Sequence, residues 1–235
     1  MRGFAVVLFL LGAIAVAQTP ATPVPVEAEP HHQLTFENAR IRAFIAEVPP
    51  HQQTGLHRHE REYVAVELVD GQTTATRLGE APITRKFKVA DTRLVTGAPF
   101  AHVVHNDANT AFRAADVEMK EPQGEAKPAR QPTSRYCNPG SKTACVTEGY
   151  LFCTQRFCAS DVTMGPGAIT SHHTHATDHM LVAVSDYQLS DKVDGKGAVL
   201  RKVASGHVEY IPAGIAHQLT NVSDKSARFI VIVFQ

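Results

Sequence analysis

Two histidine motifs decide the fold of this chain. The clearer copy reads Gly167-Ala-Ile-Thr-Ser-His-His173-Thr-His175-Ala-Thr-Asp-His179, followed by Pro212-Ala-Gly214-Ile-Ala-His217-Gln-Leu-Thr-Asn221. A weaker copy in the first half pairs His57-Arg-His59 with His102-Val-Val-His-Asn106. Histidines two apart on a strand point to the same side of the sheet, and a third histidine from a later strand can complete a pocket for one metal ion. The sequence therefore predicts two β-barrel modules, with a metal site in at least one.

The two halves match well beyond these motifs. When His57 is set on His173, further positions fall into register: Phe36 on Phe152, Arg40 on Arg156, Val48 on Met164, Val66 on Val182 and Asp70 on Asp186. Asn106 aligns with Asn221, and we expect these asparagines to brace a turn or strand. An internal duplication is the simplest explanation. Short strands separated by Gly, Pro and Asp turns indicate an all-β jelly-roll or similar barrel in each half.

The second-half motifs resemble the two signature motifs of the cupin superfamily, and the chain is similar to a bicupin of the cupin type-2, quercetin-dioxygenase-like kind. In this chain His179 stands where that family usually has a glutamate. The resemblance implies two tandem cupin (jelly-roll β-barrel) domains, an N-terminal barrel over residues 34–119 and a C-terminal barrel over residues 150–235. The family includes oxygenases, isomerases, oxalate-degrading enzymes, sugar-binding regulators and storage proteins, so the motif is strong for fold and weak for function.

The remaining segments are read from their composition. Residues 1–17 have a basic start, an apolar middle and a small-residue cleavage site, which predicts a signal peptide and a secreted or periplasmic protein. Residues 18–33 are rich in proline and are expected to form a flexible tether, in which we assign no role to His31 and His32. Residues 120–149 are expected to be a linker that ends in a cysteine-rich entry to the second barrel.

The charge balance limits the class of partner. The chain has 23 basic and 23 acidic residues. This balance argues against a nucleic acid or a membrane surface as the partner and leaves a small-molecule ligand or substrate. Because cupin barrels often pair through exposed sheets, a homodimer is a further expectation from the resemblance.

All four cysteines lie close together, at Cys137, Cys145, Cys153 and Cys158. In an exported protein they predict two disulfides, and the sequence allows three pairings. In one of them Cys145 and Cys153 bridge a hairpin that turns near Gly149. The spacing does not favour a zinc ribbon, because no C-x-x-C pair is present.

In the second half, the candidate metal ligands are His173, His175, His179 and His217. The first three share one parity, so a continuous strand would direct all of them inward, whereas Asp178 has the opposite parity. Four imidazoles, or three with water, suit a divalent transition metal such as zinc, iron, copper or nickel. The neutral imidazole of His179 at the glutamate position should lower the affinity for manganese.

In the first half, the candidate ligands are His57, His59 and His102. Tyr63 takes the glutamate position with inward parity, and Glu62 has outward parity unless the strand is bulged. Metal occupancy of this half is left open, because a duplicated barrel often keeps its fold and loses its metal.

Three functions fit these residues. The first is a metal-dependent dioxygenase for a small organic substrate, in which His179 is a fourth ligand or a proton carrier. The second is a non-enzymatic protein of the cell envelope that binds a metal or a small ligand. The third is a metal-assisted isomerase or lyase with Glu62, Tyr63 or Asp178 as the base. The sequence alone leaves open whether the protein is an enzyme.

Overall fold

The first barrel consists of two five-stranded sheets. The structure, a computed structural model, describes residues 22–235, so the predicted signal peptide lies outside the described residues. In spatial order, the strands of one sheet are Val24–Pro25 (β1), His57–His59 (β4), Phe100–Asn106 (β9), Gly71–Arg77 (β6) and Ile83–Phe87 (β7). Those of the other are His32–Glu37 (β2), Ile41–Val48 (β3), Phe112–Met119 (β10), Tyr63–Glu67 (β5) and Thr92–Val95 (β8).

The second barrel repeats this architecture with a seven-stranded and a four-stranded sheet. The larger sheet contains Lys127–Pro128 (β11), Ser134–Cys137 (β12), Cys145–Cys153 (β13), Phe157–Met164 (β14), Ala227–Phe234 (β21), His179–Ala183 (β16) and Val208–Ile211 (β19). The smaller contains His173–Thr174 (β15), Ala216–Asn221 (β20), Tyr187–Val193 (β17) and Ala198–Val203 (β18). The predicted all-β fold of two tandem barrels is confirmed. Among the described residues, no helix has the length and apolar character needed to cross a bilayer.

Apolar and acidic side chains alternate along the second half of β10, so each kind lies on a different face of the sheet. Ala115, Val117 and Met119 pack in an apolar core that includes residues of both barrels. Asp116 and Glu118, on the opposite face, are buried inside the first barrel. Because side chains alternate with a period of two, a strand with apolar residues on one face and acidic residues on the other serves an interface and a polar interior together.

The shared core joins the barrels sheet to sheet. Ile41, Val64 and Val66 of the first barrel are fully buried in one cluster with residues of β14, β16 and β21. Full burial of each large apolar side chain contributes about 1.5–3 kcal/mol. The two barrels therefore pack against each other through these sheets within one chain.

The interiors of the two barrels differ in polarity. The second contains an apolar core that includes Leu181, Tyr187 and Phe229, together with the buried His179 and His217. The first contains buried histidines and carboxylates, including His57 and Glu118. The first barrel therefore buries more carboxylate and imidazole groups than the second.

Equivalent asparagines hold the same turn in each barrel. The Asn106 side-chain amide donates to the carbonyls of Val48, Pro49 and Thr110. The Asn221 amide donates to those of Met164, Gly165 and Lys225, the equivalent positions. The two asparagines therefore brace turns, as expected, and the residue alignment of the halves holds in three dimensions.

The proline-rich N-terminal segment differs from the expected flexible tether in its described part. Residues Val24–Pro25 pair in parallel with His57–Arg58, and a short 3-10 turn follows at Val26–Ala28. Val26 and Glu29 are buried against the barrel. Composition predicted a flexible tether, but the apolar Val26 and the hydrogen bonds of Glu29 dock this segment onto the first barrel.

Two disulfides are present, as predicted, joining Cys137 to Cys145 and Cys153 to Cys158. The suggested bridge between Cys145 and Cys153 is wrong, because Gly149 lies within the continuous strand β13 and not in a turn. Cys145 and Cys153 therefore stand at opposite ends of one strand. Each instead faces its partner on a neighbouring strand. The seven-stranded sheet of the second barrel thus includes β11 and β12, which lie within the residues expected to form a linker.

Candidate metal centres

Four histidine rings gather inside the first barrel. The ring centroids of His57 and His102 are 4.4 Å apart, and both lie 5.2 Å from the centroid of His59. Strand β4 supplies His57 and His59 on one face, and antiparallel β9 places His102 directly opposite His57. The fourth ring, of His32, lies 4.6 Å from that of His57. The structure thus brings together the three histidines predicted for this half and adds one more.

Hydrogen bonds fix the orientation of two of these rings. Nδ1 of His57 donates to the Gly55 carbonyl at 2.9 Å, and Nδ1 of His59 donates to Glu118 Oε1 at 3.1 Å. A neutral imidazole that donates from Nδ1 presents a lone pair at Nε2, the arrangement of a metal ligand held by its surroundings. Burial, the largest influence, lowers the pKa of His57 to about 3 and favours this neutral form.

The Nε2 atoms of three histidines are buried without a hydrogen-bond partner among the described residues: His57, His59 and His102. Buried polar atoms are nearly always paired, since an unpaired one costs about 1–3 kcal/mol. Three such lone pairs in one cluster match the donor set of a divalent transition metal. The residues present therefore fit a metal ion at this position.

Glu118 links the cluster to the partly buried guanidinium of Arg42. Its Oε2 accepts from Arg42 at 2.6 and 3.0 Å, while its Oε1 accepts from His59. Burial alone would raise the pKa of Glu118, but the hydrogen bonds from His59 and Arg42 outweigh it and lower the pKa. The carboxylate therefore stays charged and favours the Nδ1–H tautomer of His59.

His32, to which the sequence assigned no role, belongs to this cluster. Ligand atoms of His32, His57 and His59 all lie within 4.8 Å of one another. Nδ1 of His32 donates to Glu29 Oε2 at 2.7 Å. The sequence signal that could have located His32 is an acidic residue, Glu29, three positions before it. In the structure Glu29 is buried and His32 begins strand β2.

A cavity of about 310 Å³ lies beside the histidines of the first barrel. Its wall combines apolar side chains, among them Ala46, Val48, Ala65, Val95, Val104, Phe112 and Ala114, with the guanidinium groups of Arg77, Arg85 and Arg93. His32 and His102 line one part of it, and Glu67, Glu80 and Asp116 add carboxyl groups. Apolar surface combined with convergent polar groups is typical of sites for small organic molecules.

Sequence reasoning missed Glu67 and Asp116, two carboxyl groups of this cavity. Burial raises the pKa of Glu67 to about 8 although Arg93 opposes the shift, and burial also raises the pKa of Asp116. Glu67 can therefore carry a proton near neutral pH. The available signal was their inward parity, because Glu67 lies four residues after Tyr63 and Asp116 alternates with Ala115 and Val117.

Tyr63 and Glu62, two candidate catalytic residues, lie in different environments. The Tyr63 ring stacks on His59 with centroids 4.5 Å apart and lines the cavity. Burial, the largest influence, raises the pKa of the Tyr63 hydroxyl, so the group stays protonated. Glu62 instead accepts from the Gln123 backbone at 3.2 Å, consistent with its outward parity. The geometry therefore favours Tyr63 as the group that can contact a bound molecule.

In the second barrel, ligand atoms of His173, His175 and His217 all lie within 4.8 Å of one another. Nδ1 of His173 donates to the Ser171 carbonyl at 2.8 Å, and Nδ1 of His217 donates to Asp191 at 3.1 Å. His173 and His175 are partly exposed. This triad could also hold a divalent metal, in a more solvated setting than the first.

His179 lies beside this triad. Its ring centroid is 3.8 Å from that of His175, and its Nδ1 is buried without a partner among the described residues. The expected continuous strand through His173, His175 and His179 is wrong: β15 ends at Thr174, and β16 begins at His179 in the other sheet. His179 still points inward, because it is the first residue of β16 with the parity of Leu181. Asp178 accepts from the Ala213 backbone at 2.8 Å.

Known structures share this architecture. AerE from Microcystis aeruginosa matches with a TM-score of 0.64 at 13% identity, over 91% of this chain and 98% of AerE. A Bacillus subtilis oxalate decarboxylase with Mn(II) centres matches with a TM-score of 0.57 at 14% identity, over 83% of this chain and 68% of that one. A cupin 2 conserved barrel domain protein from Leptotrichia buccalis matches with a TM-score of 0.52 at 12% identity, over 87% and 88% of the two chains.

No family model matches the sequence, and no curated protein matches it. At these levels of identity, the structural matches bear on the fold alone. The predicted resemblance is confirmed at that level. The chain has the fold of a bicupin, two cupin barrels in tandem. Each barrel has a histidine triad whose ligand atoms lie close enough to hold a divalent metal, His32, His57 and His59 in the first and His173, His175 and His217 in the second.

Proposed function

We propose that this protein is a metal-dependent enzyme whose first barrel holds a divalent transition metal and acts on a small organic molecule. The observation that carries the proposal is the set of three buried, unpartnered Nε2 atoms of His57, His59 and His102. The adjacent cavity of about 310 Å³ supplies room for a substrate next to them. The Mn(II) centres of the structurally similar oxalate decarboxylase support the use of a divalent metal in this fold.

The donor set favours zinc, iron, copper or nickel. Neutral imidazoles suit these metals, whereas manganese and magnesium prefer sites with carboxylate oxygens. A bound metal would supply a Lewis acid or a redox centre for the reaction. Glu118 and the Gly55 carbonyl would hold the ligand rings in place.

Two reaction classes fit this pocket. A dioxygenase is favoured by the apolar part of the wall, which can hold an organic substrate and molecular oxygen together. A metal-assisted isomerase or lyase is favoured by Glu67, because its raised pKa lets it give or take a proton inside the cavity that Asp116 also lines. Tyr63 serves either class as a hydrogen-bond donor to the substrate.

The two disulfides support an oxidising compartment, since such bonds persist mainly in exported proteins. A secreted or periplasmic location agrees with the signal peptide predicted over residues 1–17. An enzyme there would meet its substrate outside the cytoplasm. Small-molecule binding without catalysis is the competing outcome of the experiments below.

Metal analysis of the purified chain tests the proposal. We expect metal in the wild-type protein and the loss of one equivalent in His57→Ala, with His51→Ala as the control because the His51 side chain contacts Asn109 at the surface. Metal content that is unchanged in His57→Ala but lost in His173→Ala would overturn a first-barrel centre. Oxygen consumption with the loaded protein across aromatic and diketone substrates separates the classes, because an isomerase or lyase consumes none.

A further inference from the structure

The N-terminal strap, defined as residues 22–32, places an imidazole inside the first barrel. Its strand β1 pairs in parallel with the ligand strand β4, so that Val24 lies opposite His57. Val26 is buried, and the strap ends with His32 at the start of β2. The strap therefore enters the barrel next to two of the candidate ligands.

Glu29 joins His32 to the ligand His57 through the backbone of one residue, Gly55. Glu29 Oε2 accepts from His32 Nδ1 at 2.7 Å, and Oε1 accepts from the Gly55 amide at 3.0 Å. The Gly55 carbonyl in turn accepts from His57 Nδ1 at 2.9 Å. The same residue, Gly55, thus sets the position of both rings.

The second ring nitrogen of His32 remains available for a ligand. Its nearest acidic atom is Asp116 Oδ2 at 3.8 Å, which is too far for a hydrogen bond. Ligand atoms of His32, His57 and His59 lie within 4.8 Å of one another, close enough for a shared ion after small side-chain adjustments. Glu29 stands to His32 as Glu118 stands to His59: a buried carboxylate that fixes the Nδ1–H tautomer.

We propose that His32 is a fourth protein ligand of the first-barrel metal, supplied by the N-terminal strap and oriented by Glu29. This inference rests on the proposed metal centre. An imidazole from a different part of the chain would then stand in for the glutamate of the usual cupin motif. It also makes strap docking and metal binding linked equilibria, because the metal contacts His32 only when the strap is docked.

The linkage gives a quantitative expectation. If the docked His32 improves metal affinity by about 10–100-fold, the metal must shift the docking equilibrium of the strap by the same factor. Hydrogen exchange of the strap amides should then slow by about that factor when metal is added. A strap held only by Val26 and Glu29 would exchange at the same rate with and without metal.

The test uses Co²⁺, whose visible absorption reports its coordination, in a His173→Ala background that disables the second-barrel triad. His32→Gln keeps a donor for Glu29 but removes the imidazole, and we expect it to weaken Co²⁺ binding about 10–100-fold, to change the spectrum and to abolish the metal-dependent protection of the strap. His31→Ala is the matched control, since the His31 ring contacts the Glu47 carbonyl on the outside. It should behave like the background protein.

Two results would distinguish a failure of the fourth-ligand proposal from a failure of the metal-centre proposal. If His57→Ala loses Co²⁺ binding while His32→Gln keeps the background affinity, spectrum and strap protection, the metal centre stands and the fourth ligand is refuted. If His57→Ala also binds Co²⁺ as the background does, the proposed metal centre itself is wrong. Exchange of the β10 amides, which lie far from the strap in sequence, checks that each variant is folded.

Discussion

Replacement of Glu118 by glutamine tests the electrostatic support of the first metal centre. The change keeps the shape of the side chain but removes the charge that holds His59 and Arg42. Glutamine can also present its amide group to His59 Nδ1, which would turn the imidazole to the wrong tautomer. We therefore expect both metal affinity and stability to fall.

The structure sets the size of each effect. Loss of a carboxylate that orients a ligand histidine weakens metal binding about 10–100-fold. Breaking a buried ion pair costs about 3–5 kcal/mol. Arg42 keeps a second carboxylate, Glu27 at 3.4 Å, so we place the loss of unfolding free energy for the metal-free protein at about 1–3 kcal/mol.

Metal competition titration and urea unfolding measure these two quantities. The matched control is Asp191→Asn, because Asp191 contacts His217 and Arg201 in the second barrel as Glu118 contacts His59 and Arg42 in the first. It should weaken only the second site, and by less, since that site is more exposed. Wild-type affinity at the first site in Glu118→Gln would refute the assignment of Glu118 as a support for the metal ligand.

Three further predictions concern stability. Because the pKa of Glu67 rises from 4.5 to about 8 on folding, the unfolded chain releases a proton that the folded chain keeps, and stability should fall between these pH values by up to about 1.4 kcal/mol per unit. Glu67→Gln should flatten that slope in urea midpoints, and an unchanged slope would exclude Glu67 as its source. Phe157→Ala, in the core between the barrels, should cost about 3–5 kcal/mol by urea unfolding, against less than about 0.5 for the exposed Val199→Ala. Serine at both Cys137 and Cys145 should cost about 2–3 kcal/mol, and equal stability with and without reductant in the wild type would contradict this.

The candidate site was only partly predictable from the sequence. The spacing of His57 and His59 placed both on one face of a strand, and the duplicated tail supplied His102, so local rules located these three. His32 escaped notice because its surroundings in the sequence are rich in proline and polar residues. Its burial depends on the hydrogen bond to Glu29 and on the pairing of the strap with strand β4, which comes later in the chain.

The relative importance of the two barrels also required the structure. The motif of the second half is the closer match to the cupin signature, but His173 and His175 are partly exposed there. The enclosed cluster and the cavity lie in the first half, where the motif has diverged. A close match to a sequence motif indicates the local geometry of a turn and a strand. The burial of the histidines depends instead on the side chains that all the other strands of the barrel direct inward.

By itself, the sequence determined the all-β architecture, its duplication, the histidine pairs and the presence of two disulfides, because alternation, turn residues and cysteine number are local properties of the chain. Only the tertiary structure decided the disulfide pairing, the docking of the strap and the carboxylates that hold the ligands. The pair of His59 and Glu118 spans 59 residues, and that of Arg42 and Glu118 spans 76. Such pairs form only when strands from distant parts of the chain become neighbours in a barrel, and no periodicity along the sequence encodes that meeting.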